Sequence, residues 1–117
     1  LNVHPGLLPN YRGCSAVEWS IYNDDPVGNS VHLMSEKYDQ GPIINMESYA
    51  FGSSITYQKI RSFVYQRSCV LAAEATFQLF NDPDWAAKLE PQVEKHAKYY
   101  KPISRSKLQR ALEKLDS

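Results

Sequence analysis

The chain has 117 residues, the size of one domain or less, and a unit of this size buries about two-thirds of the surface of its unfolded chain. Its 13 Lys and Arg residues balance 13 Asp and Glu residues, so no overall field attracts a nucleic-acid backbone. No stretch approaches the roughly 20 apolar residues that span a bilayer, and nothing resembles a signal peptide, so we expect a soluble protein without a membrane partner.

The first 35 residues predict two short strands and one short helix. Alternating apolar and polar side chains indicate the strands, and apolar side chains at helical spacing indicate the helix. Pro5 ends the first strand, and Val27 and Gly28 are expected to turn the chain before the second. The predicted elements, in order, are a strand at residues 1–4, a loop at 5–13, a helix at 14–23 and a strand at 30–35.

One long helix is the dominant predicted element in the middle of the chain. A polar turn at residues 36–41 leads into a third strand at 42–49, which is β-branched at its start. The Gly-Ser-Ser run at 52–54 then provides a break and the helix N-cap. Apolar residues recur at helical spacing over 55–80, so this helix should cover the sheet.

Residues 81–117 are expected to form a C-terminal arm and a short helix, separate from a catalytic core at residues 1–80. Residues 81–101 hold two prolines and many charged side chains, which indicates an irregular surface segment with one turn of helix. Ser104 can cap a last helix with a narrow apolar stripe that ends at Leu115.

Three polar residues form a pattern that suits acyl transfer to an amine. Asn2 and His4 lie two apart on a strand and therefore project from the same face, and Asp39 lies in the turn before the third strand. Attack of an amine on a formyl carbon places negative charge on the oxygen, which needs donors, and releases a proton, which needs a base. A carboxylate beside His4 would raise the pKa of its imidazole.

The order and spacing of these residues resemble those of a known family. The run N-x-H-P-x-L-L-P-x-Y-R-G, then V-H and then D-x-G-P-I-I, is similar to the catalytic half of the formyltransferases that use 10-formyltetrahydrofolate. The resemblance implies an α/β fold: the C-terminal portion of a Rossmann-like sheet, with about three strands in a mixed sheet under the long helix. Because that family's catalytic domain is nearly twice as long, we expect the first strands and much of the folate-binding wall to lie upstream.

The resemblance also implies roles for individual residues. Asn2 would donate to the oxyanion, His4 would be a protonated donor or general acid, and Asp39 would pass on the amine proton. The remaining expected site residues are His32 and Gly41 as supporting residues, Tyr11 and Arg12 at the substrate, and Tyr38, Gln40 and Gly41 at the folate.

Several alternatives remain open at this point. Each site residue taken singly also fits a structural role, and Arg12 could hold a substrate phosphate or form a surface salt bridge. His4, His32 and Asp39 could imitate a metal site of two histidines and one carboxylate, but the resemblance is to a metal-independent family. Pro9 could follow a cis bond.

The expected acceptor is the primary amine of a nucleotide-linked amino sugar. Trp19 and the run at residues 99–103 resemble the amino-sugar branch of the family, and zero net charge argues against a nucleic-acid partner. Methionyl-tRNA, glycinamide ribonucleotide and water are the alternative acceptors. A rival of another class is a non-catalytic fragment that associates through its exposed sheet edge, which would make a homo-oligomer.

The two cysteines bear on the compartment. Cys14 and Cys69 lie far apart and form no Cys-x-x-Cys motif, which indicates reduced, buried thiols in a cytoplasmic protein.

Overall fold

The computed structural model describes residues 1–116 as an α/β arrangement with two small sheets. The elements are β1 (Asn2–His4), β2 (Arg12–Gly13), α1 (Ala16–Tyr22), β3 (Val27–His32), β4 (Ile43–Tyr49), α2 (Tyr57–Asn81), β5 (Tyr99–Tyr100) and α3 (Arg105–Lys114), with 3-10 helices at Pro83–Lys88 and Glu94–His96. The predicted α/β class and the number of strands in the main sheet are confirmed.

The main sheet has β3 at its centre, between β1 and β4, and both pairings are antiparallel. All of β3 is buried, as expected for a central strand that contacts both α1 and α2. The register places Asn2 opposite His32 and His4 opposite Ser30. The polar residues at the start of β1 therefore lie beside the end of β3.

The strand predictions need two corrections. The turn predicted at Val27 and Gly28 is wrong, because both residues pair with the end of β4. The chain turns earlier, at Asp24, whose φ of 60° is left-handed. The sheet was also expected to be mixed, but both of its pairings are antiparallel, and the parallel pairing lies in the second sheet, between β2 and β5.

The long helix predicted over 55–80 is confirmed as α2, which packs across β1, β3 and β4. Its N-cap is Thr56, whose hydroxyl accepts from the backbone N–H of Lys59 at 3.2 Å, rather than a residue of the Gly-Ser-Ser run. Among residues 1–116, no helix has the length and apolar character needed to cross a bilayer. The buried residues of α2 are Ile60, Val64, Leu71 and Ala75.

The C-terminal arm is irregular, as predicted, but it is bound to the first part of the chain. Residues of β5 pair with β2, and the backbone N–H of Arg12 donates to the carbonyl of Lys98 at 2.9 Å. Tyr100 stacks on Tyr11 with ring centroids 5.1 Å apart. The predicted last helix is confirmed as α3, which is capped by Ser104 and packs on α1.

The structure also decides the expectations about Pro9 and the two cysteines. The Leu8–Pro9 bond is cis, which was open from the sequence. The prediction of buried thiols is wrong, because Cys14 and Cys69 are both exposed and unbridged.

Candidate functional site

The candidate site lies where β3 ends and the loop to β4 begins. β1 and β3 bring Asn2 and His32 side by side, and the loop returns Asp39 to the same place. Asp39 has a left-handed φ of 59°, so its backbone turns sharply while its carboxylate points back toward the sheet. One amide, two imidazoles and one carboxylate thus lie together at the end of the sheet where β3 ends, which we call the polar edge.

The carboxylate of Asp39 is held from two sides. Its Oδ1 lies 3.4 Å from Nδ1 of His4 and 4.0 Å from Nε2 of His32. Its Oδ2 accepts from the backbone N–H of Gly13 at 2.9 Å. The side chain is 14% exposed, so the carboxylate lies at the boundary with solvent.

The two ring nitrogens of His4 face different groups. Nε2–H donates to the carbonyl of Tyr11 at 2.6 Å, which leaves Nδ1 facing Asp39. Burial lowers the pKa of His4 below 6.5, and the nearby carboxylate offsets this only in part. The sequence-based expectation of a raised pKa is therefore wrong, because desolvation of the ring outweighs the attraction of Asp39.

Asn2 and His32 complete the polar edge. Nδ1–H of His32 donates to the carbonyl of Leu33 at 2.9 Å, so Nε2 carries the lone pair. The Asn2 amide donates to that nitrogen at 3.4 Å. An amide nitrogen has two N–H groups, so Asn2 can offer the other to a ligand.

A small cavity opens at this polar edge, with a volume of about 190 Å³. Typical ligand pockets measure about 300–1,000 Å³. His4 is not part of the lining; it is 6% exposed and contacts Asp39. The lining residues are Asn2, His32, Met34, Ser35, Glu36, Lys37, Tyr38 and Asp39.

The part of the chain that carries these residues is similar to known proteins. Residues 1–66, more than half of the chain, match the family model described as formyl transferase. The chain belongs to the formyl transferase family. It spans about a third or less of the length of the curated formyltransferases that it matches.

Relatives within the formyl transferase family differ in their named substrates. Methionyl-tRNA formyltransferase of Borrelia hermsii is 38% identical over 80 residues, which cover 68% of this chain and 26% of that protein. GDP-perosamine N-formyltransferase of Brucella melitensis is 46% identical over 48 residues, which cover 40% of this chain and 18% of that protein. The substrate of this chain therefore does not follow from family membership.

The fold also matches a solved formyltransferase. The crystal structure of PseJ from Anoxybacillus kamchatkensis, in complex with UDP-4,6-dideoxy-4-formamido-L-AltNAc and tetrahydrofolate, superposes with a TM-score of 0.65 at 19% identity. The match covers 97% of this chain and 65% of that chain. This likeness confirms the Rossmann-like formyltransferase fold predicted from the sequence.

Tyr11 and Arg12, the expected substrate contacts, lie away from the cavity in this family member. The Tyr11 hydroxyl donates to Asp25, and burial raises the pKa of that hydroxyl. The Arg12 guanidinium is 4% exposed and donates to Gln92 and to both oxygens of Glu94. The structure thus pairs the buried Arg12 with the exposed carboxylate of Glu94, because the C-terminal arm folds over Arg12.

The residues expected at the folate are distributed differently. Tyr38 lines the cavity and is 80% exposed, whereas Gln40 is half-buried and absent from the lining. Gly41 is buried, and a Cβ there would lie 1.6 Å from the carbonyl oxygen of Leu33. The absence of a side chain therefore allows two backbone segments to approach, and the expected ligand contact is not what requires a glycine.

Gln92 is the residue at this site that the sequence did not predict. It is 8% exposed, and its amide donates to the backbone carbonyls of Asp39 at 2.9 Å and Gly41 at 2.7 Å. No local pattern links a glutamine after Pro91 to a turn more than fifty positions earlier. The available signal was weak: a polar residue without a helix or strand to explain it.

Two other observations bear on the choice of site. A larger cavity, of about 440 Å³, lies at the opposite end of β3 and β4, but its charged lining residues include no histidine. The smaller cavity near Asp39 combines an amide, an imidazole and a carboxylate in its lining. Within residues 1–116, no three His, Cys, Asp or Glu side chains are grouped as a metal site.

Proposed function

We propose that this chain carries the catalytic residues of an enzyme that transfers a formyl group from 10-formyltetrahydrofolate to a primary amine. The observation that supports it best is the placement of Asp39 in a member of the formyl transferase family. Its Oδ1 lies 3.4 Å from His4 Nδ1 and 4.0 Å from His32 Nε2, and Asp39 lines the same cavity as Asn2. A base and an oxyanion donor can therefore act on one bound carbonyl.

In the proposed reaction, Asn2 and Asp39 have different roles. As the amine nitrogen bonds to the formyl carbon, the formyl oxygen becomes negative and accepts an N–H of Asn2. Asp39 accepts the proton that the amine loses. The bond between the formyl carbon and the folate nitrogen then breaks, and that nitrogen takes up a proton, so charge and atoms balance.

His4 has an indirect role in this proposal. Its Nδ1 carries a lone pair in the neutral ring, since Nε2–H is used by the Tyr11 carbonyl. When Asp39 is protonated, it can donate to Nδ1 across the 3.4 Å that separate them. His4 thus offers a second position for the proton before it reaches the leaving nitrogen, and it need not touch the formyl oxygen.

The amine is proposed to belong to a nucleotide-linked amino sugar. The Brucella melitensis relative is named for GDP-perosamine, and the PseJ complex contains a UDP-linked formamido sugar. Balanced total charge fits a small nucleotide better than a nucleic acid. Methionyl-tRNA is the second candidate, because the Borrelia hermsii relative matches a longer stretch of this chain.

We propose that this chain supplies only part of the surface that binds the formyl donor. The cavity is smaller than a typical ligand pocket, and of the residues expected at the folate, Tyr38, Gln40 and Gly41, it is Tyr38 that lines it. The bound tetrahydrofolate of the PseJ structure supports a folate-type donor. We also place the enzyme in the cytoplasm, where the exposed thiols of Cys14 and Cys69 stay reduced.

The test is a comparison of acceptors with the natural gene product. The protein is incubated with 10-formyltetrahydrofolate and, in parallel, with nucleotide-linked amino sugars, methionyl-tRNA, glycinamide ribonucleotide or buffer alone. Mass spectrometry should find a formylated amino sugar, with equal loss of the donor. Loss of donor in buffer alone would indicate a hydrolase, and no amine-dependent loss with any acceptor would refute the proposed function.

A further inference from the structure

Gln92 connects the C-terminal arm to the loop that carries Asp39. The residue lies just before the 3-10 helix at Glu94–His96 and outside the part of the chain that matches the family model. Its side chain enters the space between the arm and the loop and is 8% exposed. A polar side chain at this depth needs partners for each of its hydrogen-bonding groups.

Both ends of the Gln92 amide have such partners. Nε2 donates to the carbonyls of Asp39 at 2.9 Å and Gly41 at 2.7 Å. Oε1 accepts from the Arg12 guanidinium, at 2.9 Å from Nη2 and 3.2 Å from Nε. One side chain therefore joins the Asp39 loop to a buried cation next to β5.

The two carbonyls belong to Asp39, whose backbone turn aims the carboxylate, and to Gly41, two residues later. Asp39 adopts a left-handed φ, which is unfavourable for a residue with a side chain, and so the turn needs support from its surroundings. Gly13 secures the carboxylate itself through its backbone N–H. Gln92 secures the backbone from which that carboxylate projects.

We propose that Gln92 is a positioning residue that holds the Asp39 turn in the geometry required for proton transfer. It does not line the cavity, so it acts through Asp39 rather than on the substrate. This inference rests on the proposed function. It extends the site to a part of the chain that contributes no residue to the cavity lining.

Glu94 provides a matched control, because it separates the two contacts of Gln92. It also binds Arg12, at 2.8 and 3.0 Å; its link to the Asp39 loop is an electrostatic one to Lys37, with no hydrogen bond to that loop among residues 1–116, and its side chain is 67% exposed. If Gln92 merely anchored the arm through Arg12, loss of Glu94 would have a similar effect. If Gln92 positions Asp39, only changes at Gln92 affect the reaction.

The kinetic test compares Gln92→Glu with Glu94→Gln in the natural gene product. A glutamate at position 92 keeps the acceptor for Arg12 but removes both donors to the loop carbonyls. We expect kcat to fall about 100-fold, as for a misplacement of about 1 Å, with KM for the formyl donor changed by less than about threefold. Glu94→Gln should keep kcat within about twofold of the unmodified protein.

A second readout does not depend on activity. Residues 1–117 have five glycines, so 15N-glycine labelling gives this part of the protein a short set of backbone signals that includes Gly13 and Gly41. In Gln92→Glu, and in the nearly isosteric Gln92→Met, the Gly13 amide proton should move upfield as its bond to Asp39 weakens. The signal of Gly52, where an added Cβ would meet no atom within 4 Å, should not move.

The outcomes distinguish this inference from the proposed function. Failure of the unmodified protein to formylate any amine would refute the proposed function, whereas the glycine spectra would still report whether Gln92 holds the Asp39 turn. Unchanged Gly13 and Gly41 signals in both Gln92 variants would overturn the inference. Equal loss of kcat in Gln92→Glu and Glu94→Gln would also overturn it.

Discussion

The His4 ring is subject to two opposing electrostatic effects. Burial favours the neutral imidazole, and Asp39 at 3.4 Å favours the charged one. His32, the other titratable group that faces it, adds a small contribution in the same direction as burial. Burial is the larger effect, so the folded protein binds the His4 proton more weakly than the unfolded chain does.

This balance predicts a pH dependence of stability. The pKa of His4 is below 6.5 in the folded state. Burial of the neutral ring therefore contributes to stability above pH 6.5, and this contribution is lost as the pH falls through the pKa of His4 in the folded state. We expect the thermal midpoint to decrease as the pH is lowered from 7.5 to 5.5. In His4→Gln, the midpoint should fall less over the same range.

Calorimetry at matched ionic strength measures both midpoints. His96 provides the control, since it is exposed and His96→Gln should reproduce the pH dependence of the unmodified protein. Equal slopes for His4→Gln and the unmodified protein would contradict the account of His4.

The motif predicted where the main polar residues lie, but it could not predict their hydrogen bonds. Asn2, His4 and Asp39 could be placed together from spacing and resemblance. The contact of His4 with the Tyr11 carbonyl depends on the loop at residues 5–13 folding back over the ring. Arg12 was ambiguous for the same reason, because its partners lie about eighty positions away.

At the scale of elements, the loop between β3 and β4 is shaped by a backbone contact. The carbonyl of Leu33, just after β3, occupies the position that a Cβ of residue 41 would take. The N–H of Leu33 also donates to the carbonyl of Pro42 at 3.0 Å. The loop is thus closed at its base, which brings Asp39 back to the end of β3.

This contact predicts a large cost for a single methyl group. Gly41→Ala should lower the free energy of unfolding by about 3 kcal/mol, because the backbone must move to avoid the Leu33 carbonyl. Gly52→Ala is the matched control, and it should change that free energy by less than about 0.5 kcal/mol. Urea unfolding measures both, and similar values for the two variants would contradict the packing argument.

Elements with local patterns were predictable, and elements that depend on distant partners were not. α2 runs for 25 residues without a glycine or proline, and its buried residues, Ile60, Val64, Leu71 and Ala75, recur at intervals of four and seven. β2 and β5 have two residues each and exist only because they pair with one another. The N-cap of α2 was misplaced because Ser54 adopts a left-handed φ of 62°, which moves the helix start to Thr56.

At the scale of the whole molecule, the C-terminal arm and α3 complete the structure. Tyr100 packs with Tyr11 and Ala16, and Ala111 packs with Val17 in the main apolar cluster. Gln92 adds the buried polar connection to the Asp39 loop. The predicted division into residues 1–80 and 81–117 therefore runs through a continuous set of contacts.

Truncation tests that division. A chain ending at residue 80 loses β5, α3 and Gln92, and each large buried side chain contributes about 1.5–3 kcal/mol to a total stability of about 5–15 kcal/mol. We expect residues 1–80 to show no cooperative thermal transition by circular dichroism. A cooperative transition within a few degrees of that of the full chain would support an independent core instead.

The most direct test of the proposed chemistry is the effect of Asp39→Asn on formyl transfer. An asparagine keeps the size of the side chain and an acceptor for the Gly13 N–H, but it cannot take the amine proton. We expect kcat to fall by about 10²–10⁴-fold with an unchanged thermal midpoint, whereas the exposed Asp84→Asn has no effect. A fully active Asp39→Asn enzyme would contradict the account.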